Sequence, residues 1–135
     1  INQFLLKMIL AYDESQNEEI LLIAKDFSEW ICSEFNEEEL SYSIKELNKL
    51  QVIKRLRKLN DEEKDKIYEI LENKDINSEI RFGSYVLLEQ KVAAKRYFEK
   101  LNEKSKKELI NYPIYNLWKK MEETNNGEIK NADSK

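Results

Sequence analysis

The sequence contains no histidine and a single cysteine, Cys32. Without histidine the chain cannot build a Ser-His or Cys-His catalytic pair, an HExxH zinc site or an imidazole general base. One thiol without imidazole also leaves no zinc site made from the usual ligands. Cys32 lies within an apolar stripe, whereas a reactive thiol requires a basic neighbour and exposure. We therefore interpret it as a buried structural thiol in a reducing compartment.

Glycine and proline are also scarce, with 2 Gly and 1 Pro in 135 residues. The phosphate-binding motifs GxxxxGK[ST] and GxGxxG are both absent from the sequence. So few turn residues disfavour a many-stranded sheet and favour helices joined by short polar loops. The apolar runs are much shorter than the ~18 residues that a membrane-spanning helix needs, and we see no secretory pattern. We expect a cytoplasmic protein without cofactor, metal or membrane contact.

Apolar residues at helical spacing are what the sequence has in abundance. The clearest stripe predicts a helix with apolar positions at Ile20, Ile23, Ala24, Phe27, Trp30, Ile31 and Phe35. Leu21 and Leu22 widen the stripe, which indicates that this helix touches neighbours on two sides. We expect later helices to bury Phe27, Trp30 and Ile31.

Capping boxes mark where several helices should begin. They pair Ser15 with Glu18, Asn36 with Glu39, Asn60 with Glu63, and Ser105 with Glu108. The acidic clusters at 18–19, 37–39 and 61–65 fall in the first helical turns, where negative charge is favourable by about 0.3–1 kcal/mol. Capping accounts for these carboxylates, whereas a hydrolase or magnesium site would need acids that converge from different helices.

These patterns predict an all-α fold of about seven helices packed as antiparallel hairpins, either an irregular bundle or a short solenoid. Residues 1–124 are expected to form a single helical domain that could belong to a longer chain, because Ile1 is not a natural initiator. Residues 125–135 are predicted to be a mobile polar tail. A bend or break near Asn48 is expected because the apolar spacing slips there. The excess of lysine over arginine suggests an AT-rich bacterial or phage genome.

Two helices at about 78–89 and 91–102 should form a tight hairpin. Gly83 lies in its first helix, where glycine costs about 1 kcal/mol against alanine and so indicates a close helix approach. An alanine at this position would then destabilise the protein by overpacking.

The segment from Ile80 to Pro113 has 34 residues and resembles a tetratricopeptide repeat. The positions that carry the resemblance are Gly83, Tyr85, Ala94, Phe98 and the closing Pro113. No second copy follows at the same period in residues 46–79. The resemblance implies a stacked helical scaffold that binds a protein or peptide and has no catalytic activity.

Five residues are candidates for partner binding. Four form a basic patch, Lys54, Arg55, Arg57 and Lys58, and the fifth is Tyr115, which lies off the apolar stripe of the last predicted helix. The basic patch could contact nucleic-acid phosphates, or it could pair with acidic helices of the same chain. Residues 1–40 carry a net charge of −8 and residues 41–60 a net charge of +5, so internal pairing is possible.

We predict a protein–protein interaction or regulatory helical module that is not an enzyme. Its partner would be another protein or another domain of the same chain. The alternative is a nucleic-acid-binding module, which would require the Lys54–Lys58 face to be exposed and unpaired. The second alternative is a carboxylate-based enzyme, which would require a pocket with converging acids. A binding scaffold should instead expose apolar or aromatic residues.

Overall fold

The computed structural model describes residues 2–34 and 39–133, and this part of the chain forms helices without a strand. The all-α prediction is therefore confirmed, with eight helices rather than about seven. They are α1 (Asn2–Ser15), α2 (Glu18–Glu34), α3 (Glu39–Leu56), α4 (Asp61–Glu72), α5 (Ser78–Leu87), α6 (Lys91–Glu99), α7 (Glu103–Leu109) and α8 (Pro113–Asp133). None of the described helices is long and apolar enough to cross a membrane.

Helix α3 lies between two hydrophobic clusters. On one side α1 and α2 pack together with Val52, which is fully buried. On the other side Leu50 and Ile53 join the larger cluster formed with the helices from α4 to α8. Because α3 has apolar neighbours on two sides, its apolar residues occupy more than one face. The predicted break near Asn48 is absent, since α3 runs unbroken from Glu39 to Leu56. The slip in apolar spacing reflects this two-sided burial.

Asparagine begins several of these helices. The capping box of Asn60 and Glu63 is confirmed, with both reciprocal hydrogen bonds present. The boxes at Ser15 and Ser105 are wrong, because the caps are made by asparagine residues two or three positions away. The side chains that accept from the first-turn N–H groups of α2, α5 and α7 are those of Asn17, Asn77 and Asn102. The box predicted at Asn36 lies outside the described residues.

Helices α5 and α6 form the predicted hairpin, joined by a short turn in which Glu89 has a positive φ of 60°. Aromatic pairs hold the two helices together. The rings of Phe82 and Phe98 are 5.6 Å apart, and those of Tyr85 and Tyr97 stack at 5.5 Å. The last helix, α8, continues to Asp133 instead of ending near 125, while the mobility of the tail stays a prediction.

Gly83 faces α8 and not α6. A Cβ built at Gly83 would lie 3.7 Å from Cγ1 of Ile114, which is an ordinary van der Waals distance. The expected overpacking is therefore absent, and a methyl group fits. Gly83→Ala should raise the free energy of unfolding by about 0.5–1 kcal/mol, because alanine loses less backbone entropy in a helix. Urea denaturation measures the change, and a destabilised variant would show that α5 and α8 approach more closely than this.

Candidate interaction surface

Arg55, a predicted partner-binding residue, is only 4% exposed and is used inside the fold. Its Nε and Nη2 donate to the carboxylate of Asp13 at 2.6 and 2.8 Å, which forms a two-pronged ion pair with α1. Its remaining contacts are with the backbone carbonyls of Gln51 and Pro113, both at 3.0 Å. Arg55 thus ties α1, α3 and the start of α8 together and offers little to a partner.

Lys54 and Arg57 are also paired within the chain. Nζ of Lys54 lies 3.1 Å from Oε1 of Glu89, and the guanidinium of Arg57 donates twice to Glu63 at 2.8 Å. The hydrogen bond from Arg57 lowers the pKa of Glu63, which keeps this carboxylate ionised. Lys58 is exposed and makes no ion pair with a described residue. The face does not meet the requirement of the nucleic-acid interpretation, which was exposure without internal pairing.

Tyr115 is half-buried at the edge of an aromatic cluster. Its ring lies 5.7 Å from that of Trp118 and 6.4 Å from that of Phe98. Nζ of Lys119 lies 5.9 Å from the centre of the Tyr115 ring. Tyr115 therefore packs against the larger core cluster on one side and reaches solvent only on the other.

The buried carboxylate of Glu46 faces basic side chains. Glu46 on α3 is almost completely buried, and its Oε1 lies 3.3 Å from Nζ of Lys49 and 3.6 Å from Nζ of Lys66. Both contacts are ion pairs, and this oxygen accepts no hydrogen bond of good geometry from a described residue. Cys32 is half-buried beside Glu46, and burial followed by the Glu46 charge raises the pKa of its thiol. Among the side chains that the structure describes, no three acidic or thiol groups are arranged to hold a metal ion.

The surface with the most exposed apolar side chains lies on the α1–α2 hairpin. Phe4 is 60% exposed, Ile23 59% and Trp30 47%, and the half-buried Phe27 lies among them. Ring centres are 5.7 Å apart between Phe4 and Phe27 and 5.9 Å apart between Phe27 and Trp30. We call these four residues the α1–α2 apolar face.

Burial of Trp30 was predicted and is wrong, while burial of Ile31 is confirmed. Helix α2 does touch neighbours on two sides, α1 and α3. Its apolar stripe is wider than those two neighbours can cover, however. The part of the stripe at Ile23 and Trp30 consequently stays in contact with solvent.

Acidic residues follow this face along α2. Glu19 lies four residues before Ile23, Asp26 lies between Ile23 and Trp30, and Glu34 lies four residues after Trp30. Residues three or four apart are neighbours on a helix surface, so the three carboxylates border the apolar side chains. All three are exposed, and none forms an ion pair with a described residue. The arrangement is an aromatic and aliphatic surface with a negative edge.

No sequence motif marked this face in advance, and the only signal was the width of the stripe in α2. Each member looks like a core residue at helical spacing, and the choice of which part stays uncovered depends on tertiary packing. Comparison of the chain with protein-family models, with curated proteins and with solved structures finds no match in any of the three.

Proposed function

We propose that this chain is a protein–protein interaction module that uses the α1–α2 apolar face. Its occupant is an amphipathic helix of another protein, or of another domain of the same chain, with lysine and arginine along the edges of its apolar side. The observation that carries the proposal is the exposure of Ile23 and Trp30 beside carboxylates that form no ion pair with a described residue. An apolar patch rimmed by charge is the usual form of a binding surface.

The aromatic side chains supply the affinity in this proposal. Tryptophan is enriched among the residues that dominate interface energies, because one side chain removes a large apolar area from water. Phe27 packs against both Phe4 and Trp30, so the rings already support one another before a partner binds. Such preorganisation lowers the entropy that association costs.

The carboxylates supply the selectivity. Glu19, Asp26 and Glu34 lie on the same helix as the apolar side chains and favour a partner of opposite charge. Residues 1–40 hold only two basic side chains, Lys7 and Lys25, and Lys25 pairs with Glu29 at 3.3 Å. An acidic partner helix would meet repulsion here, whereas a basic one would be steered toward the face.

Fluorescence anisotropy with two synthetic helical peptides tests this proposal. Both carry the same leucine stripe, and one has lysine and the other glutamate at every polar position. The lysine peptide should bind and the glutamate peptide should not. Trp30→Ala and Ile23→Ala should each weaken binding by more than about tenfold, as truncation of a central interface residue does. The matched controls are Tyr68→Ala on α4 and Val92→Ala on α6, which also remove exposed apolar side chains.

The charge contribution has its own test. Reversing Glu19 and Asp26 to lysine should reduce binding of the lysine peptide and allow the glutamate peptide to bind. Equal effects of Trp30→Ala and Tyr68→Ala would contradict the assignment of the face. A concentration-dependent dimer would also contradict the proposal if Trp30→Ala dissociates the dimer and the lysine peptide fails to dissociate it. The occupant of the face would then be a second copy of this chain.

A further inference from the structure

A pocket of about 690 Å³ lies where the C-terminal ends of α1, α3 and α5 meet α8. Pockets that bind small organic molecules have volumes of about 300–1,000 Å³, so this one is large enough for such a ligand. Part of its lining is apolar and comes from the half-buried Leu56, Leu117 and Met121. None of the four residues of the α1–α2 apolar face lines it. We call this space the basic pocket.

Basic side chains dominate the charged part of this lining. They are Lys54, Arg55, Arg57, Lys58 and Lys120, whereas the acidic residue in the described lining is Glu89. Lys54, Arg55 and Arg57 are paired with Glu89, Asp13 and Glu63. The other two, Lys58 and Lys120, are exposed and form no ion pair with a described residue. The pocket therefore holds two accessible positive charges without a paired carboxylate.

The ends of the helices explain only part of this charge. Basic residues are favoured near helix C-termini, which accounts for Lys54 and Arg55 in the last turn of α3. It does not account for Lys120, which lies well inside α8. Nζ of Lys54 uses one of its three N–H donors on Oε1 of Glu89 at 3.1 Å, so it retains donors for a ligand.

We propose that the basic pocket binds a phosphate monoester of a small aromatic or aliphatic molecule. The phosphate lies between the ammonium groups of Lys58 and Lys120, while the organic part contacts Leu117 and Met121. A phosphate monoester carries a charge of about −1.5 to −2 at pH 7, which matches the two lysines. A single carboxylate would match only one of them.

A compact anion fits this site better than a nucleic-acid strand. A strand presents one phosphate at each nucleotide and is bound by a row of basic side chains. Arg55 and Arg57 would have to extend such a row, but Asp13 and Glu63 hold their guanidinium groups. The two lysines without ion pairs instead line one pocket, with apolar side chains beside them.

Three probes separate the phosphate from the organic part, namely 1-naphthyl phosphate, methyl phosphate and 1-naphthol. Each is titrated into the 15N-labelled full chain and followed by the backbone amide signals. We expect 1-naphthyl phosphate to give saturable shifts at Lys58, Glu89 and Leu117, which weaken as salt is added. It should bind about tenfold more tightly than methyl phosphate, since burial of about 60 Å² of apolar surface supplies that factor. It should also bind at least about tenfold more tightly than 1-naphthol, which lacks the charge.

Variants assign the site to the two lysines. Lys120→Gln and Lys58→Gln should each weaken binding of 1-naphthyl phosphate by about tenfold, the effect of losing one charge-assisted hydrogen bond. The matched control is Lys119→Gln, which removes the same charge from the next exposed residue of α8. Lys119 does not line the basic pocket, so solvent screening should keep the change below about twofold. Circular dichroism melts check that each variant is folded.

Five results would each overturn the proposal. Two are the absence of saturable shifts with 1-naphthyl phosphate and equal losses in Lys120→Gln and Lys119→Gln. Two more are an affinity for 1-naphthol or for methyl phosphate equal to that for 1-naphthyl phosphate. The fifth is tighter binding of a short oligothymidine without terminal phosphates, weakened by Lys120→Gln, because the ligand would then be a nucleic-acid strand.

The basic pocket and the α1–α2 apolar face can fail separately. Trp30→Ala should leave binding of 1-naphthyl phosphate unchanged, and Lys120→Gln should leave binding of the lysine peptide unchanged. Loss of both activities in either variant would contradict the separation of the two sites.

Discussion

Arg55→Met is expected to lower the free energy of unfolding by about 3–5 kcal/mol, the cost of breaking a buried ion pair by removing one partner. The variant leaves the carboxylate of Asp13 largely buried, with Nδ2 of Asn116 at 2.8 Å as its remaining side-chain donor among the described residues. The carbonyls of Gln51 and Pro113 also lose the donors that Arg55 provides. Methionine keeps much of the length of the side chain, so the loss reports on hydrogen bonds and charge. Urea denaturation measures it.

Arg57→Met is the matched control, because Arg57 lies two residues away and also makes a two-pronged ion pair. Its side chain is 51% exposed, and solvent screens an exposed pair, so Arg57→Met should cost much less stability than Arg55→Met. Arg55→Lys should recover only part of the loss, since an ammonium group cannot reproduce the guanidinium fork. Equal losses in Arg55→Met and Arg57→Met would contradict the structural role of Arg55.

This difference separates two members of the basic patch that are both paired within the chain: Arg55 is buried in its ion pair, and Arg57 is exposed in its own. In the sequence the four basic residues are indistinguishable, and an exposed face is a reasonable interpretation of each. The pairing of Lys54 and Arg55 depends on Glu89 and Asp13, which are distant along the chain and reach the patch only through tertiary packing. Charge bands in the sequence indicated that such pairing was possible without identifying the pairs.

The presence of helices was predictable because the apolar periodicity is strong. The residues at which the helices begin were harder to predict. Serine and asparagine are both good N-caps, and spacing alone does not choose between them. Helix α1 continues to Ser15, whose Oγ donates to the Ala11 carbonyl at 2.8 Å, so Asn17 takes the cap of α2. The outcome depended on where the preceding helix ends.

Helix α3 shows most clearly what sequence periodicity cannot predict. Polar residues of α3 such as Asn48 and Gln51 look like a solvated face in the sequence, yet helices on more than one side bury them. Periodicity distinguishes one apolar face from one polar face and has no signal for a helix enclosed by neighbours. The burial of these two amides was therefore not predictable from the sequence.

Phe82→Ala should lower the free energy of unfolding by about 3–5 kcal/mol, whereas Trp30→Ala should cost about 1 kcal/mol or less. The ring of Phe82 is completely buried and lies 5.6 Å from that of Phe98 and 5.5 Å from that of Trp118, so its removal leaves a cavity in the larger core cluster. Trp30 is about half exposed, and solvent already contacts much of its ring.

Thermal and urea unfolding of the two variants side by side give the comparison. A small loss in Trp30→Ala means that its apolar area is not needed for folding, which is the condition for a residue that serves a partner. A loss as large as that of Phe82→Ala would place Trp30 in the core. The α1–α2 apolar face would then lose its central residue, and the proposed interaction would lose the observation that carries it.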